Sequence, residues 1–249
     1  MGGFLKRVFG RTPPVVPVVE VDIPPLSVPD CVAVIGDIHG CATLTRQLIE
    51  RVNAQHPEAH LLFVGDFIDR GEESADVLKM LMDMPEATCL MGNHERMCLD
   101  FLDDPEERGA RWMRNGGLQT VASYGVSGTQ TELTKMRDAL AVAMGDHTIN
   151  WLINRPLYAQ FGNLYAIHAG ADPQAAIEGQ GEKPLIWGHP LFRKQPRTDG
   201  QWVVHGHTIV DLPMVEQGRV SIDTGAYATG VLSAAVFAGA DVAFLQAKL

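Results

Sequence analysis

Cysteine is scarce in this chain of 249 residues, and the few cysteines present are widely separated. The four cysteines, at positions 31, 41, 89 and 98, form no Cys-x-x-Cys pair, which argues against a disulfide framework and against a structural zinc held by paired thiolates. Free thiols in a reducing compartment are the simpler interpretation, so we expect a cytoplasmic protein. Cys41 falls at an expected helix start, a position that can lower the pKa of a thiol, but the favoured interpretation is a small residue that fits a tight turn.

Basic residues are also few. Lysine and arginine number 20 against 30 aspartates and glutamates, which does not favour nonspecific binding to nucleic acid. The first eleven residues mix apolar and basic side chains, but this stretch is too short and too broken for a signal sequence or a membrane span. We therefore expect no stable membrane insertion. Residues 1–29 are predicted to be a flexible, basic and proline-rich lead-in to a single domain at 30–249.

Polar side chains follow five short apolar runs, at the points where the predicted strands end. Open α/β sheets bind ligands at the carboxyl ends of their strands, so we expect these side chains to lie close together. A single motif of this kind is more often a turn than a ligand, but a coincidence at five strand ends is far less credible. The five motifs are Gly36-Asp37-Ile38-His39-Gly40, Gly65-Asp66-Phe67-Ile68-Asp69-Arg70-Gly71, Gly92-Asn93-His94-Glu95, His168-Ala169-Gly170 and His205-Gly206-His207-Thr208.

The side chains in these motifs are of the type that binds transition metals. Imidazole nitrogen combined with carboxylate and amide oxygen suits Mn, Fe or Zn better than Ca or Mg. The set is too large for one ion. In phosphoryl transfer, such sets are shared by two ions about 3.5–4 Å apart, with a carboxylate bridging them on one side and hydroxide on the other. Asp66, in the middle of the first three motifs, is the expected bridge.

In their order along the chain, these motifs resemble those of the calcineurin-like metallophosphoesterases, in particular the phosphoprotein phosphatase branch. More narrowly, the chain is similar to the compact bacterial and phage serine/threonine protein phosphatases and to the symmetrical diadenosine tetraphosphatases. The similarity extends over about 31–225, including Trp112-Met113-Arg114-Asn115-Gly116-Gly117 and Ile222-Asp223-Thr224-Gly225-Ala226. The motifs are specific for a two-metal site and unspecific for the substrate.

The resemblance implies a role for each matching residue. Two divalent ions are expected, Mn²⁺ in the first place, with Fe or Zn as alternatives. His94 would be the general acid, oriented by Asp69, and Arg70 would bind a phosphate oxygen. The implied metal ligands are Asp37, His39 and Asp66 for one ion and Asp66, Asn93, His168 and His207 for the other. The further substrate-binding candidates are Arg114, Asn115 and Arg193.

Some positions depart from the family pattern or have a structural interpretation. Met91 stands directly before Gly92-Asn93-His94-Glu95, where many phosphatases of this branch have an arginine. Many of them also have an arginine soon after a tryptophan between the last two histidine motifs, and no arginine stands at that place after Trp187. Arg193 is the nearest arginine to that position. Glu95 is interpreted as a first-turn acid favoured by the helix dipole, and His205 as a strand residue outside the site.

The activity predicted from these features is hydrolysis of phosphomonoesters by a metal-bridging hydroxide, most simply by a serine/threonine protein phosphatase. The first alternative is a bis(5'-nucleosyl)-tetraphosphatase or a related hydrolase of dinucleoside polyphosphates or RNA caps. The second is a phosphate-binding module that has lost catalysis, which the complete ligand set argues against. The expected partner is accordingly a phosphorylated protein or a small phosphate or nucleotide, and the sequence does not define an oligomeric state.

Apolar periodicity completes the prediction of an α/β fold. Leucine and valine spacing predicts helices at Thr43–Ala54 and Ser74–Met84, the second with Ser74 as its N-cap, and a helical insert at about 95–154. The strand-rich second half, with hairpins around Gly162 and after Val231–Phe237, predicts a second sheet packed on the first. Together these elements give a four-layer α-β-β-α sandwich of two packed mixed sheets.

Overall fold

The structure, a computed structural model, describes residues 23–128 and 132–249. Most of the lead-in predicted at 1–29 lies outside the described residues, which begin at position 23. Within the described ranges, no helix combines the length and the apolar character needed to cross a membrane.

Ten strands and eight α-helices make up the described part of the chain. The strands are β1 Val28–Ile35, β2 His60–Phe63, β3 Thr88–Cys89, β4 Tyr158–Phe161, β5 Leu164–Ile167, β6 Trp202–His205, β7 Met214–Glu216, β8 Arg219–Ser221, β9 Val231–Gly239 and β10 Asp241–Lys248. The helices are α1 Ala42–Gln55, α2 Ser74–Met82, α3 Asn93–Asp103, α4 Pro105–Trp112, α5 Leu118–Ser123, α6 Leu133–Ile153, α7 Glu182–Trp187 and α8 Ala226–Thr229. A π-helical turn, Met113–Gly117, joins α4 to α5.

The strands form two mixed five-stranded sheets, with the orders β10-β9-β1-β2-β3 and β4-β5-β6-β8-β7. In the first sheet β1, β2 and β3 are parallel, and in the second sheet β5, β6 and β8 are parallel. Parallel strands end at the same edge of a sheet. This edge brings the polar motifs that follow β1, β2, β3, β5 and β6 towards one place.

The C-terminal hairpin belongs to the first sheet, so its expected place in the second sheet was wrong. β9 pairs antiparallel with β1, placing Ala33 opposite Val236, and β10 pairs with β9 as the edge strand. Most of β9 is buried, as expected of a strand inside a sheet. Alternating apolar residues predict a strand, but they do not say which sheet it joins.

The two sheets pack face to face, which confirms the four-layer sandwich. On alternate residues, Val32, Val34 and Leu62 point from the first sheet into an apolar layer shared with Ala166 and Val204 of the second. The intervening side chains of the first sheet point the other way and pack against the helices in a separate core. Leu48 of α1 and Val77 of α2 belong to this core. Helices therefore cover the outer faces of a two-sheet core.

The two predicted crossover helices are present as α1 and α2, but Ser74 does not cap α2. The residue before this helix is Glu73, and no side chain caps its start. The Ser74 hydroxyl instead accepts a hydrogen bond from the Asp69 backbone N–H, at 3.1 Å. Further along, helices α3 to α6 occupy most of 93–153, where a helical insert was predicted, and α6 contains a break at Gly145.

Candidate metal centre

Side chains from five strand ends meet at the edge of the two sheets. Two groups, each with ligand atoms within 4.8 Å of one another, are His39 with Asp66 and His94, and Asp66 with His168 and His207. Asp66 belongs to both groups, which is the position expected of a bridging carboxylate.

The two other expected ligands contact residues of this set. Asn93 Oδ1 lies 2.9 Å from His168 Nε2. Asp37 Oδ2 accepts a hydrogen bond of 2.9 Å from the backbone N–H of His207. The structure thus brings all six side chains that were expected to bind metal into one site.

The backbone at the site is strained in a consistent way. Among the described residues, six that are not glycine have a positive φ, and five of these are site residues: His39, Asp66, Asp69, Arg70 and His207. The left-handed region is uncommon for residues with a Cβ, although aspartate and histidine tolerate it best. Such strain clusters where the surrounding structure holds a functional geometry in place.

Two of the imidazoles are oriented through their second nitrogen. His39 Nδ1 lies 2.9 Å from the Ile68 carbonyl oxygen, and His168 Nδ1 lies 3.1 Å from that of Val64. These contacts assign the proton to Nδ1 and leave Nε2 unprotonated, as a metal ligand atom must be. The Nε2 atoms of His39 and His168 then lie 3.5 and 3.4 Å from the two carboxylate oxygens of Asp66.

The electrostatics of the site fit bound cations. Asp37 Oδ1 is buried and has no hydrogen-bond partner among the described residues. Burial, followed by the neighbouring charges of Asp223 and Asp66, raises the pKa of Asp37 well above its ordinary value. A divalent ion would supply the missing partner and offset this repulsion. The donor set of imidazole, carboxylate and amide oxygen is one that transition metals prefer.

Burial also keeps two ligand imidazoles neutral. It lowers the pKa of His39 to about 3 and that of His207 to about 4. For Asp66, burial opposes ionisation, but the surrounding imidazoles of His168, His94 and His39 hold its pKa well below its ordinary value. His39 and His207 are therefore neutral and Asp66 is ionised, which are the protonation states that metal binding requires of these three groups.

His94 is held differently from the metal-facing imidazoles. Its Nδ1 lies 2.6 Å from Asp69 Oδ2, whereas its Nε2 lies 3.9 Å from Asp66 Oδ2. Burial works against its charged form, but the two carboxylates prevail and raise the pKa of His94 above its ordinary value. Asp69 is fixed in turn by hydrogen bonds from the Trp112 indole, at 2.7 Å, and the Thr120 hydroxyl, at 2.6 Å. An imidazole held in this way can donate a proton from Nε2.

Glu95 has a role that the sequence interpretation missed. It is fully buried, and its carboxylate accepts hydrogen bonds from the backbone N–H groups of Asp66 and Phe67, each at 2.8 Å, and of Gly92, at 3.0 Å. Burial, followed by the charge of Asp66, raises its pKa to about 7. Its description as only a first-turn acid is therefore incomplete. The Gly92-x-x-Glu95 spacing, which allows a glutamate to reach back to the helix start, was the available signal.

Arg70 lies at the site, and an unpredicted aromatic residue stands next to it. Its Nη1 is 3.1 Å from His39 Nε2, and its guanidinium lies over the ring of Tyr227, 4.8 Å from the ring centre. Tyr227 belongs to α8, and its ring also lies edge-on to His39. Tyr227 directly follows the segment 222–226, but no motif includes it and no role was predicted for it.

The other substrate-binding candidates are placed less uniformly. Arg193 is exposed and lines a cavity of about 370 Å³ together with His207 and Trp187. Arg114 is exposed on the π-helical turn, and the Asn115 amide donates to the Arg111 carbonyl at 2.8 Å. The structure thus brings Arg193 next to a metal-ligand candidate, whereas Asn115 is engaged by its own helical turn.

Three further positions settle alternatives left by the sequence. Met91 is 1% exposed and packs in the core, so it does not mark an open position for a phosphate-binding arginine. Burial, followed by the charge of Glu73, raises the pKa of Cys41 to about 11, which argues against the less favoured alternative of a lowered pKa. His205 ends β6 and lies 2.9 Å from the Ser221 hydroxyl, which confirms it as a strand residue.

Comparison with known proteins finds one matching family and relatives that align over most of the chain. The profile of the calcineurin-like phosphoesterase family matches residues 32–211. Serine/threonine-protein phosphatase 2 of Salmonella typhimurium is 26% identical over 203 residues, covering 80% of this chain and 89% of the relative. The asymmetrical bis(5'-nucleosyl)-tetraphosphatase of Halalkalibacterium halodurans is 26% identical over 231 residues, covering 82% and 89%.

A solved structure shows the same fold. It is the crystal structure of a protein described provisionally as a diadenosine tetraphosphatase, with a TM-score of 0.63 and 20% identity, covering 88% of this chain and 94% of that one. The fold and the convergent ligand set define a metal-dependent hydrolase of phosphoric esters. The chain belongs to the calcineurin-like phosphoesterase family, whose profile spans well over half of its length.

Proposed function

We propose that the protein uses two divalent metal ions, Mn²⁺ in the first place, to hydrolyse phosphomonoesters, and that its substrates are phosphoserine and phosphothreonine in proteins. The observation that carries the two-metal part is the position of Asp66, whose two carboxylate oxygens face two different ligand imidazoles, His39 Nε2 at 3.5 Å and His168 Nε2 at 3.4 Å. A shared carboxylate is the usual basis of a two-metal phosphoesterase site.

Each side chain has a distinct task in this proposal. One ion would be held by Asp37, His39 and Asp66, and the other by Asp66, Asn93, His168 and His207. Bound there, the two ions would polarise the phosphate and activate a water molecule for attack. His94 donates a proton from Nε2 to the departing oxygen, because its Nδ1 is held by Asp69 at 2.6 Å.

The phosphate itself is bound by this chain's cationic side chains. Arg70 presents a planar guanidinium beside His39, and this geometry suits the oxygens of a phosphate. Arg193 would contact the group that carries the phosphate, because it lines the cavity adjoining His207. The backbone of Arg70 is supported by a 3.3 Å hydrogen bond from its N–H to the Gly116 carbonyl of the π-helical turn.

The preference for phosphoproteins is supported by the serine/threonine-protein phosphatase relative, which aligns over most of its own length. A dinucleoside polyphosphate is the second candidate substrate, because the asymmetrical tetraphosphatase relative aligns over a similar share of this chain. The ring of Tyr227, 39% exposed beside Arg70, would offer a surface on which a base could stack.

The two candidates are separated by one comparison of substrates. The protein is loaded with Mn²⁺ and assayed on phosphoserine and phosphothreonine peptides, p-nitrophenyl phosphate and diadenosine tetraphosphate. A kcat/KM at least tenfold higher for the phosphopeptides supports the phosphatase proposal. A higher value for diadenosine tetraphosphate overturns it in favour of the second candidate. Phosphate binding without turnover of any substrate would identify a module that has lost catalysis.

A further inference from the structure

Three side chains of metal-ligand type lie together outside the catalytic centre. Cys31 is in β1, His56 follows the last residue of α1, and Glu58 lies in the turn that leads to β2. One thiol sulfur, one imidazole nitrogen and one carboxylate oxygen, taken from these residues, all lie within 4.8 Å of one another. None of the three residues takes part in the proposed phosphoesterase chemistry.

This cluster lies towards the opposite edge of the first sheet from the catalytic ligands. Cys31 precedes the last residue of β1 by four positions, about 13 Å of extended strand, whereas Asp37 follows the end of that strand. His56 and Glu58 precede β2, whereas Asp66 comes after it. The fold therefore separates the two groups by the length of the parallel strands.

We propose that Cys31, His56 and Glu58 form a second metal site that binds zinc through one sulfur, one nitrogen and one oxygen. Thiolate and imidazole together select zinc over magnesium or manganese. Around tetrahedral zinc, ligand atoms at the usual bond lengths lie about 3.3–3.6 Å apart. Rotation of the exposed Glu58 and the half-buried His56 side chains closes the remaining distance.

The main chain of His56 is already fixed by hydrogen bonds, so only its side chain has to move. The His56 N–H donates to the Val52 carbonyl at 2.7 Å, and the Ala59 N–H donates to the His56 carbonyl at 3.0 Å. A bound ion would therefore join β1 to the end of α1 and to the turn after it. Three protein ligands leave the fourth tetrahedral position for water, which can enter from the cavity of about 490 Å³ that Glu58 lines together with His60.

The thiol remains protonated without the metal. Burial, followed by the neighbouring Glu58 carboxylate, raises the pKa of Cys31 above its ordinary value. Zinc binding displaces this proton and leaves the thiolate as a ligand. The scarcity of cysteine pairs excluded zinc sites of paired thiolates, but it did not bear on a site with a single cysteine. The ligand positions 31, 56 and 58 follow no spacing that sequence inspection would single out.

The first test measures the Cys31 thiol directly, so it is independent of phosphatase activity. The protein is saturated with Mn²⁺, low-micromolar zinc is added, and alkylation of each cysteine by iodoacetamide is followed by mass spectrometry. We expect zinc to slow alkylation of Cys31 at least tenfold in the unaltered protein and less than twofold in Glu58→Gln or His56→Gln. Glu58 is exposed, so its substitution leaves folding intact. Equal protection in these variants, or none in the unaltered protein, overturns the proposal.

The second test distinguishes this site from the catalytic centre. Cobalt bound to a thiolate gives a sulfur-to-metal charge-transfer absorption, which nitrogen and oxygen ligands do not give. The band should be present in the unaltered protein, absent in Cys31→Ser, and retained in the control variants Cys41→Ser and His60→Gln. His60 serves as a control because its Nε2 is already bonded to the Thr88 hydroxyl at 2.8 Å. A band that survives Cys31→Ser contradicts the assignment.

Discussion

The candidate site residues that follow the strands of the first sheet are, as a group, more deeply buried than those that follow the strands of the second. Asp37, His39, Asp66, Asn93 and His94 follow β1 to β3, and all are at most 4% exposed. On the second sheet His168 is equally buried, but His207 is half-buried beside an open cavity and is followed by a loop in which Leu212 is 68% exposed.

This difference indicates a division of tasks between the two regions. The first region, which consists of the residues that follow β1 to β3, is tied together by buried hydrogen bonds to Glu95 and Asp69. A change there should therefore affect every substrate alike. The second region consists of His168, His207 and the loops around them at the ends of β5 and β6, and it presents exposed side chains next to the ligands. Surface loops vary most readily without loss of the fold. We therefore expect the first region to determine catalytic rate and the second to determine substrate choice.

The largest effect is expected at Asp66, the residue common to both ligand groups. Asp66→Asn removes the shared negative charge, so bound metal should fall and activity should be lost on every substrate. Chelation of the unaltered protein should give the same loss, with Mn²⁺ restoring most of the activity. Metal content is measured by elemental analysis, with the exposed Asp211→Asn as a matched control. Full activity in rigorously metal-free protein would disprove the two-metal proposal.

The next effect is expected at His94, which donates a proton without holding a metal in the proposed mechanism. His94→Asn should keep both ions but lower kcat by about 10²–10⁴ on alkyl phosphates. The loss should be smaller on p-nitrophenyl phosphate, whose leaving group needs little protonation. Both activities are measured together with metal content. An equal loss on the two substrates would argue against His94 as the acid.

A third effect tests whether Glu95 holds the first region together. Glu95→Ala leaves four buried backbone N–H groups without this acceptor, three that donate at 2.8–3.0 Å and that of Ile68 at 3.4 Å. Each such loss costs about 1–3 kcal/mol, so the free energy of unfolding should fall by about 3 kcal/mol or more. The matched variant Glu95→Gln keeps one acceptor oxygen and should lose less. Urea unfolding of metal-free protein measures both. An alanine variant as stable as the unaltered protein would leave Glu95 as a simple helix-dipole acid.

The sequence predicted which polar side chains the fold brings together, because strand ends converge in a parallel sheet. Five apolar runs ending in Asp, Asn or His were enough to identify the ligand candidates and to expect Asp66 between them. Glu95 was underestimated because its function depends on contacts 27 to 29 residues away, which periodicity does not report. Tyr227 was missed for the same reason, since only the folded chain brings α8 next to Arg70.

The fold was predicted to a similar degree. Hydrophobic alternation identified the β9–β10 hairpin, but the choice of sheet depends on pairing with β1, some 200 residues earlier in the chain. Similarly, the apolar side chain of Met91 fits both a core position and an opened binding site. The structure places Met91 in the core, and the residues that pack around it cannot be read from the local sequence.

The smallest effects compare the two regions directly through one arginine from each. Arg70 belongs to the first region and contacts His39, so Arg70→Ala should lower kcat/KM by about tenfold or more on all phosphate substrates, because a hydrogen bond to a charged group contributes about 1.5–3 kcal/mol. Metal content should not change. A similar loss of metal in this variant would place Arg70 among the residues that support the ligands.

Arg193 belongs to the second region and should behave differently. Its side chain is exposed beside the cavity next to His207, where solvent weakens a charged contact. Arg193→Ala should therefore lower kcat/KM only a few-fold, and only for substrates large enough to fill the cavity, such as phosphopeptides. On p-nitrophenyl phosphate the variant should match the unaltered protein. Lys194→Ala, at the adjacent exposed position, is the control for a general loss of positive charge. If Arg193→Ala weakened the small and large substrates equally, Arg193 would act on the phosphate itself, and the division of tasks between the two sheets would not hold.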